Sequence, residues 1–174
     1  NRIVIAPMCQ YSAVEGCATD WHLIHLGQLA LSGAGLLVIE ATGVEPQGRI
    51  SADCVGLYND DNEAALARVL AVVRRYSRMP IGIQLSHAGR KASTKRPIDP
   101  GPVDTRAWPL VGPSALAFSD DRQVPAELDR AGMDRIVAAF AQATRRAARL
   151  GLDLIEIHSA HGYLLSSFLS PLAN

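Results

Sequence analysis

Four short apolar stretches alternate along the chain with longer stretches in which apolar residues recur every three to four positions. The apolar stretches are IVIAPM at 3–8, LLVIEA at 36–41, PIGIQLS at 80–86 and LDLIEI at 152–157. They are short, rich in β-branched residues and nearly continuously apolar, which is typical of strands covered on both faces of a parallel sheet. The pattern therefore predicts four parallel strands.

Three of the intervening segments have the apolar spacing of a helix. Capping residues stand at the start of the first two, and glycines or basic residues end the first and the third, as expected for helix ends. The predicted helices run from Thr19 or Asp20 to about Gly33, from Asp60 or Asp61 to about Tyr76, and from Asp129 to Leu150.

The segment 87–128 has no clear period and contains six prolines, including Pro100 and Pro102. Connections of this length are usually functional covers or disordered links. We expect it to form a lid over the active face, with Trp108 and Arg106 as contacts.

The resulting order is β-α-β-α-β-loop-α-β, which fits either a doubly wound sheet or a barrel. No GxGxxG motif follows the first strand, which disfavours the dinucleotide-binding sheet. Polar side chains instead follow every strand at its carboxyl end, the active face of a barrel. We therefore predict an α/β fold in which residues 1–174, as a single domain, form roughly the N-terminal half of a (β/α)8 TIM barrel.

Composition narrows the function classes. The 174 residues carry 17 basic and 17 acidic side chains, so we expect no nucleic-acid and no membrane partner. The three cysteines form no CxxC pair and no secretion leader is visible, which favours a cytoplasmic protein with reduced thiols. The chain starts and stops abruptly around apolar elements, so we expect it to be a fragment of a longer protein.

The stretch EIHSAHGYLL at 156–165 places His158, His161 and Tyr163 directly after the fourth strand. Because side chains alternate along a strand, an inward His158 implies an inward Glu156, and an inward Gln84 implies an inward Gly82. An inward Glu156 needs a partner that the sequence does not identify. A glycine at position 82 would allow a flat group to approach the backbone closely.

Two chemistries are open at this strand end. His87, His158, His161 and Cys9 have the nitrogen and sulfur donors of a metal site. However, hydrolytic barrels typically carry a His-x-His pair on the first strand, where this chain has APMC, so we do not predict a metal.

The favoured chemistry uses the imidazoles as hydrogen-bond donors. Two imidazole N–H groups in a dry pocket stabilise negative charge that develops on a carbonyl or phenolate oxygen. Tyr163 could then donate a proton to a neighbouring carbon. These roles suit the reduction of a C=C bond conjugated to C=O, with hydride from a cofactor because no side chain supplies one.

Three blocks of sequence resemble the Old Yellow Enzyme flavoproteins, in particular their bacterial thermophilic-like branch, which includes the xenobiotic reductases. The blocks are APMCQYS at 6–12, GIQLSHAGRKA at 82–92 and EIHSAHGYLLSSFLSP at 156–171. They stand in the family's order and spacing, and the resemblance spans essentially the whole chain. It implies a (β/α)8 barrel that binds FMN, takes electrons from NADPH or NADH and reduces small activated alkenes.

The resemblance also implies residue roles and assembly. Pro7, Met8, Cys9, Ala41 and Gln84 would contact the flavin, with Cys9 tuning its potential, and His158 would lie beside it. His158 and His161 would bind the substrate oxygen, Tyr163 would donate the proton and Tyr11 would close over the substrate. The family's phosphate-binding loops belong to the half that this chain does not contain, and a homo-oligomer is expected.

Two alternatives to an ene-reductase stay open at this point. The 2,4-dienoyl-CoA reductase type has a related barrel and similar residues after the fourth strand. A non-catalytic half barrel is the other, because an incomplete barrel leaves two apolar strand edges unpaired.

Overall fold

The computed structural model describes residues 1–99 and 106–174. The helices and strands follow one another along the chain in the predicted alternation. In chain order they are β1 (Val4–Ile5), α1 (Asp20–Ala30), β2 (Leu36–Gly43), α2 (Asp60–Tyr76), β3 (Ile81–Ser86), β4 (Val111–Gly112), β5 (Ala126–Glu127), α3 (Arg130–Arg149), β6 (Leu154–Ile157) and α4 (Leu164–Leu169). Short 3₁₀ turns lie at Pro46–Gly48 and Gly89–Lys91.

Four of the strands form one parallel sheet in the order β1-β2-β3-β6. Its register pairs Val38 with Gly82, and Gln84 with Glu156. Sequential strands connected by helices place all the carboxyl ends at one edge, as in a barrel. The four predicted strands are therefore confirmed, although β1 is shorter than the predicted 3–8.

The shortening of β1 has a local cause. Pro7 has no N–H to donate to a neighbouring strand, so the ladder cannot continue through it. Three residues later, the backbone N–H of Gln10 donates to the side chain of Glu40 instead of to a strand. Residues 6–12 therefore leave the sheet and run along its carboxyl edge.

Side-chain hydrogen bonds fix the helix starts. Asn59 caps α2 by accepting from the Asn62 backbone N–H at 2.8 Å, one position before the predicted aspartates. Asp129, near which the third helix is predicted to begin, caps α3 by accepting from the Gly132 N–H at 2.7 Å. Each bond satisfies a backbone donor that has no partner within the helix.

The main core lies between the sheet and the helices. Its strand residues alternate with those that face the opposite side, and its helix residues come from the apolar stripes of α1, α2 and α3. The central members are Leu26, Leu37, Ile39, Leu66, Val69, Leu70, Val73, Ile81, Ile83, Leu85, Ala143 and Ala147.

A second apolar cluster lies at the carboxyl edge of the sheet. Its buried members are Ala41, Ile50, Cys54, Ala88, Ala92 and Leu110, and Cys9, Tyr11, Trp108 and Tyr163 pack against it. Part of the segment 87–128 thus contacts the same cluster as the predicted site residues.

Residues 87–99 and 106–128 contain regular structure and fixed contacts that their sequence does not indicate. The strands β4 and β5 pair in parallel, and Trp108 Nε1 donates to the Gln47 carbonyl at 2.9 Å. Arg106 forms two hydrogen bonds with Asp53, at 3.1 and 3.0 Å. Pro100 and Pro102 lie outside the described residues, and a lid role stays a prediction.

Apolar side chains are exposed on the two outer strands of the sheet. Val4 in β1 is 55% exposed and Ile3, directly before it, is 65% exposed. Ile157 in β6 is 47% exposed. Among residues 1–99 and 106–174, no further strand pairs with either outer edge. In the same ranges, no helix has the length and apolar character that a membrane span requires.

Candidate active site

The carboxyl ends of β1, β2, β3 and β6 surround a cavity of about 460 Å³. All the side chains that the sequence singled out for cofactor or substrate line it together. Its walls are formed by Ala6, Pro7, Met8, Cys9, Tyr11, Ala41, Ile50, Gln84, Glu156, His158, His161 and Tyr163. Residues more than 150 positions apart in sequence therefore share one pocket.

Glu156 has the partner that the sequence could not name. Gln84 Nε2 donates to Glu156 Oε1 at 2.6 Å, between residues that are paired in the β3–β6 register. A hydrogen bond to a carboxylate is stronger than one between neutral groups. This bond sets the orientation of the Gln84 amide and leaves its oxygen as an acceptor.

Gly82 packs closely against the neighbouring strand β6. A Cβ at this position would lie 3.0 Å from the Leu154 side chain, its partner in the sheet register, and Gly82 is not part of the cavity wall. Close packing against β6, one inward position below Gln84, accounts for a glycine here, and a contact between Gly82 and a flat ligand stays a prediction.

His158, His161 and Tyr163 form a compact trio of rings. The ring centroids are 5.1 Å apart for His158 and His161, and 4.8 Å apart for His158 and Tyr163, with edge-to-face orientations. The His158 backbone N–H donates to the Leu85 carbonyl at 2.9 Å, which ties the trio to the end of β3.

His158 carries its proton on Nε2. Its Nδ1 accepts a hydrogen bond from the Ala160 backbone N–H at 3.3 Å, so the neutral ring is protonated on the other nitrogen. Burial, and then the neighbouring His161, lower the pKa of His158 below its ordinary value. Near neutral pH His158 is therefore an uncharged donor.

His161 lies in a left-handed turn. Its φ is 56°, and that of Gly162 is 71°. A non-glycine residue rarely adopts this conformation, which has to be stabilised by its surroundings. Lys91 Nζ provides one such contact by donating to the His161 carbonyl at 2.8 Å.

Lys91 is a site residue that our sequence interpretation missed. Its ammonium lies 5.1 Å from the Tyr163 ring centroid and 4.6 Å from that of Phe118. A lysine after a strand is common, and only the fold brings this one to the trio. Burial, followed by Arg122 and Arg90, lowers the pKa of Lys91.

Tyr163 is held at the start of α4 with its phenol toward the cavity. Burial raises the pKa of Tyr163 to about 12, and the Cys9 and Cys54 sulfurs contribute in the same direction. The phenol is therefore protonated throughout the physiological range and is available as a proton donor.

The opposite wall is the segment between β1 and α1. Tyr11 adopts a left-handed conformation with φ 50°. A hydrogen bond with Cys54 and burial of the thiol both raise the pKa of Cys9, and the Glu40 carboxylate adds to the effect. Cys9 is therefore a neutral thiol. Cys54, which is fully buried behind it, was not identified from sequence because an isolated cysteine gives no positional signal.

His87 does not share the cavity. Its Nε2 lies 2.8 Å from Glu45 Oε1, and its Nδ1 accepts from the Gly89 N–H. Glu45 is also bonded to Arg135 of α3, and His87 and Arg135 lower the pKa of Glu45 against the opposing effect of burial. In the described ranges no three His, Cys, Asp or Glu side chains are placed to hold a metal ion.

Comparison with known proteins identifies the family. The model of the NADH:flavin oxidoreductase / NADH oxidase family matches residues 1–174, the whole chain. The chain belongs to this family. An NADPH dehydrogenase of Geobacillus thermodenitrificans is 43% identical over 176 residues, which is all of this chain and 48% of that protein.

Solved structures of flavin oxidoreductases agree with the fold. Morphinone reductase superposes with a TM-score of 0.84 at 29% identity, and Old Yellow Enzyme from Pichia sp. AKU4542 with 0.85 at 28%. Each match covers all of this chain, and 48% and 46%, respectively, of the solved chain. The chain spans about half the length of the curated relatives it matches. The predicted membership in the Old Yellow Enzyme group and the partial (β/α)8 barrel are confirmed.

Proposed function

We propose that the whole protein containing this chain is an FMN-dependent ene-reductase, which uses NADPH or NADH to reduce C=C bonds conjugated to a carbonyl or a similar electron-withdrawing group. The observation that carries the proposal is the pairing of an uncharged Nε2–H donor, His158, with a protonated phenol, Tyr163, at a centroid distance of 4.8 Å in one cavity.

The cavity fits a flat, partly polar ring system. Ala6, Pro7 and Ala41 form small or rigid apolar parts of the wall, while Gln84 presents an amide whose orientation is already set by Glu156. A pocket with an apolar wall and a few oriented polar groups is typical of a cofactor site. We assign Pro7, Met8, Cys9, Ala41, Gln84 and His158 to contacts with FMN.

The two histidines of the cavity are assigned to substrate binding. His158 and His161 would donate hydrogen bonds to the carbonyl oxygen, where negative charge accumulates as the conjugated bond accepts electrons. Tyr11 would cover the substrate from the opposite wall. Because His158 is neutral and largely buried, bulk water does not compete with the substrate oxygen for its N–H group.

The proton is assigned to Tyr163. FMN held in this cavity and reduced by NADPH or NADH would supply a hydride for the β-carbon. Tyr163 then donates its phenolic proton to the α-carbon, so that one hydride and one proton complete the saturation of the bond. The phenol is regenerated by solvent. Lys91, 5.1 Å from the ring centroid, favours the phenolate that forms transiently.

The test follows the two half-reactions separately. The whole protein should bind FMN and show a flavin spectrum that NADPH or NADH bleaches under anaerobic conditions. Adding 2-cyclohexenone should restore the oxidised spectrum and yield cyclohexanone. A dienoyl-CoA thioester tests the alternative substrate class. A protein that is reduced by the coenzyme but is not reoxidised by any conjugated alkene contradicts the proposal.

A further inference from the structure

Glu40 is a buried carboxylate at the carboxyl end of β2 that the proposed chemistry does not use. The residue is 4% exposed. Its Oε2 accepts the Gln10 backbone N–H at 3.0 Å, and its Oε1 lies 3.3 Å from His22 Nε2 of α1. A buried carboxylate is costly without such partners, and here each oxygen of Glu40 lies near an N–H group.

The contacts of Glu40 with Gln10 and His22 require both of its oxygens to be acceptors. His22 Nδ1 accepts the Thr19 backbone N–H at 2.9 Å, so Nε2 must carry a proton. That proton faces Glu40 at ion-pair distance, although its alignment is outside that of a good hydrogen bond. Glutamine offers one oxygen and one NH₂ group, so it would place a donor against one of the two N–H groups.

The backbone N–H of Gln10, which Glu40 binds, lies between two residues of the cavity wall. Gln10 separates Cys9 from Tyr11, and Tyr11 adopts the unfavourable left-handed conformation. The Gln10 side chain also contacts the segment itself and α1, through Met8 O at 2.8 Å and Trp21 Nε1 at 3.1 Å. The backbone contact to Glu40 comes from the sheet, as does a hydrogen bond between the Ala41 backbone and the Cys9 thiol.

We propose that Glu40 is a positioning residue for the segment 7–11: its carboxylate, held by His22, anchors the Gln10 backbone N–H and so places Cys9 and Tyr11 on the cavity wall. The importance of this placement for FMN rests on the proposed function. The placement itself rests only on the contacts of Glu40.

The carboxylate has a second effect, on the Cys9 thiol. The groups that act on Cys9 are the Cys54 thiol and the Glu40 carboxylate, with Tyr11 and Tyr163 beside them in the same cluster. The negative charge of Glu40 opposes formation of a thiolate at Cys9. Removing that charge therefore favours the thiolate, the form that reacts with alkylating agents.

The experiment measures the alkylation rate of Cys9 and the affinity for FMN in the whole protein. After removal of flavin, the rate of carbamidomethylation by iodoacetamide is followed at Cys9 by peptide mass spectrometry across a pH series. Glu40→Gln should react several-fold faster at a given pH, because the carboxylate charge that opposes formation of the Cys9 thiolate is gone. Its dissociation constant for FMN should rise about tenfold because the segment loses its anchor.

Two control variants separate this role from general stabilisation. Gln10→Ala removes the side-chain contacts of the segment but keeps the backbone N–H, and should leave the Cys9 pH profile unchanged. Val73→Ala creates a cavity in the main core away from the site, and should lower the melting temperature without changing either readout.

A Glu40→Gln variant that folds and keeps both the wild-type Cys9 profile and the wild-type FMN affinity overturns the inference. If Glu40→Gln does not fold, the Glu40→Asp variant tests the positioning role instead. It keeps the charge but is one methylene too short to reach both donors, so FMN should bind more weakly while the Cys9 profile stays near wild type. Unchanged FMN binding in Glu40→Asp also overturns the inference. A shifted Cys9 profile in a protein that reduces no alkene contradicts the proposed function alone.

Discussion

Gln84 donates to Glu156 across neighbouring parallel strands at 2.6 Å, at the level where both side chains enter the cavity. The inward carboxylate thus has a hydrogen-bond donor, and the inward amide has an acceptor for its NH₂ group. The pair thereby presents one oriented amide oxygen to the cavity. This arrangement depends on the β3–β6 register, because a shift of β6 by one residue would turn Glu156 to the opposite face of the sheet, away from Gln84.

Replacing Glu156 with Leu should therefore weaken FMN binding. The Gln84 amide loses the acceptor that orients it, and a hydrogen bond to a charged group contributes about 1.5–3 kcal/mol. We expect the FMN dissociation constant, measured by quenching of flavin fluorescence, to rise about tenfold or more. Glu156→Gln keeps an acceptor oxygen and should have a smaller effect. Equal affinities for the Glu156→Leu variant and the wild-type protein would show that the pair does not orient Gln84 for FMN.

Tyr163→Phe should slow alkene reduction while leaving flavin reduction intact. Loss of a positioned general acid typically lowers the rate by about 10²–10⁴. Stopped-flow absorbance with NADPH, and then separately with 2-cyclohexenone, measures the two half-reactions. Tyr76→Phe, at a tyrosine that is 72% exposed, is the matched control and should change neither rate. The proton-donor role would be excluded if Tyr163→Phe slowed both half-reactions equally.

His158→Ala and His161→Ala should each weaken the binding of phenols that mimic the substrate oxygen. Each variant removes one of two donors directed at that oxygen, so we expect affinity to fall about tenfold per variant. Titration with p-chlorophenol, followed by the long-wavelength charge-transfer absorbance of the bound flavin, measures the affinity. His25→Ala, in α1 away from the cavity wall, should bind the phenol normally. If either variant bound the phenol as tightly as the wild-type protein, that histidine would not bind the substrate oxygen.

The rate of the alkene half-reaction should be flat from about pH 7 to about pH 9. His158 is already neutral at pH 7 because burial and His161 lower its pKa, and Tyr163 keeps its proton because burial raises its pKa to about 12. Both groups stay in their donor forms over this interval. A pH series of stopped-flow measurements tests this, and an inflection near neutral pH that disappears in the His158→Ala variant would show that His158 titrates there.

Ile83→Ala should be strongly destabilising. Ile83 is fully buried in β3 between the sheet and the helices, and truncation of such a side chain costs about 2–5 kcal/mol. Ile24→Ala in α1 is the matched control, since Ile24 is 62% exposed and its truncation should change the free energy of unfolding by no more than about 0.5 kcal/mol. Urea unfolding followed by circular dichroism gives both values. Similar midpoints for the two variants would show that β3 is not part of the core.

Local sequence was sufficient to predict the alternation of strands and helices and the identity of the residues at the strand ends. Periodicity is a local property, so the spans of α2 and β3 follow from the chain with an error of about one residue. The motifs around Cys9, Gln84 and His158 were sufficient to indicate the flavin oxidoreductase family, which the whole-chain match confirms.

Which groups meet became visible only in the folded chain. Glu156 finds Gln84 through sheet register, Lys91 reaches the His161 carbonyl through the turn after β3, and Glu40 reaches Gln10 across the edge of the sheet. The short strands β4 and β5 also gave no sequence signal, because two residues are too few for a period. These contacts join positions 30 to 72 residues apart, and their distances depend on how the strands pair, which no local pattern encodes.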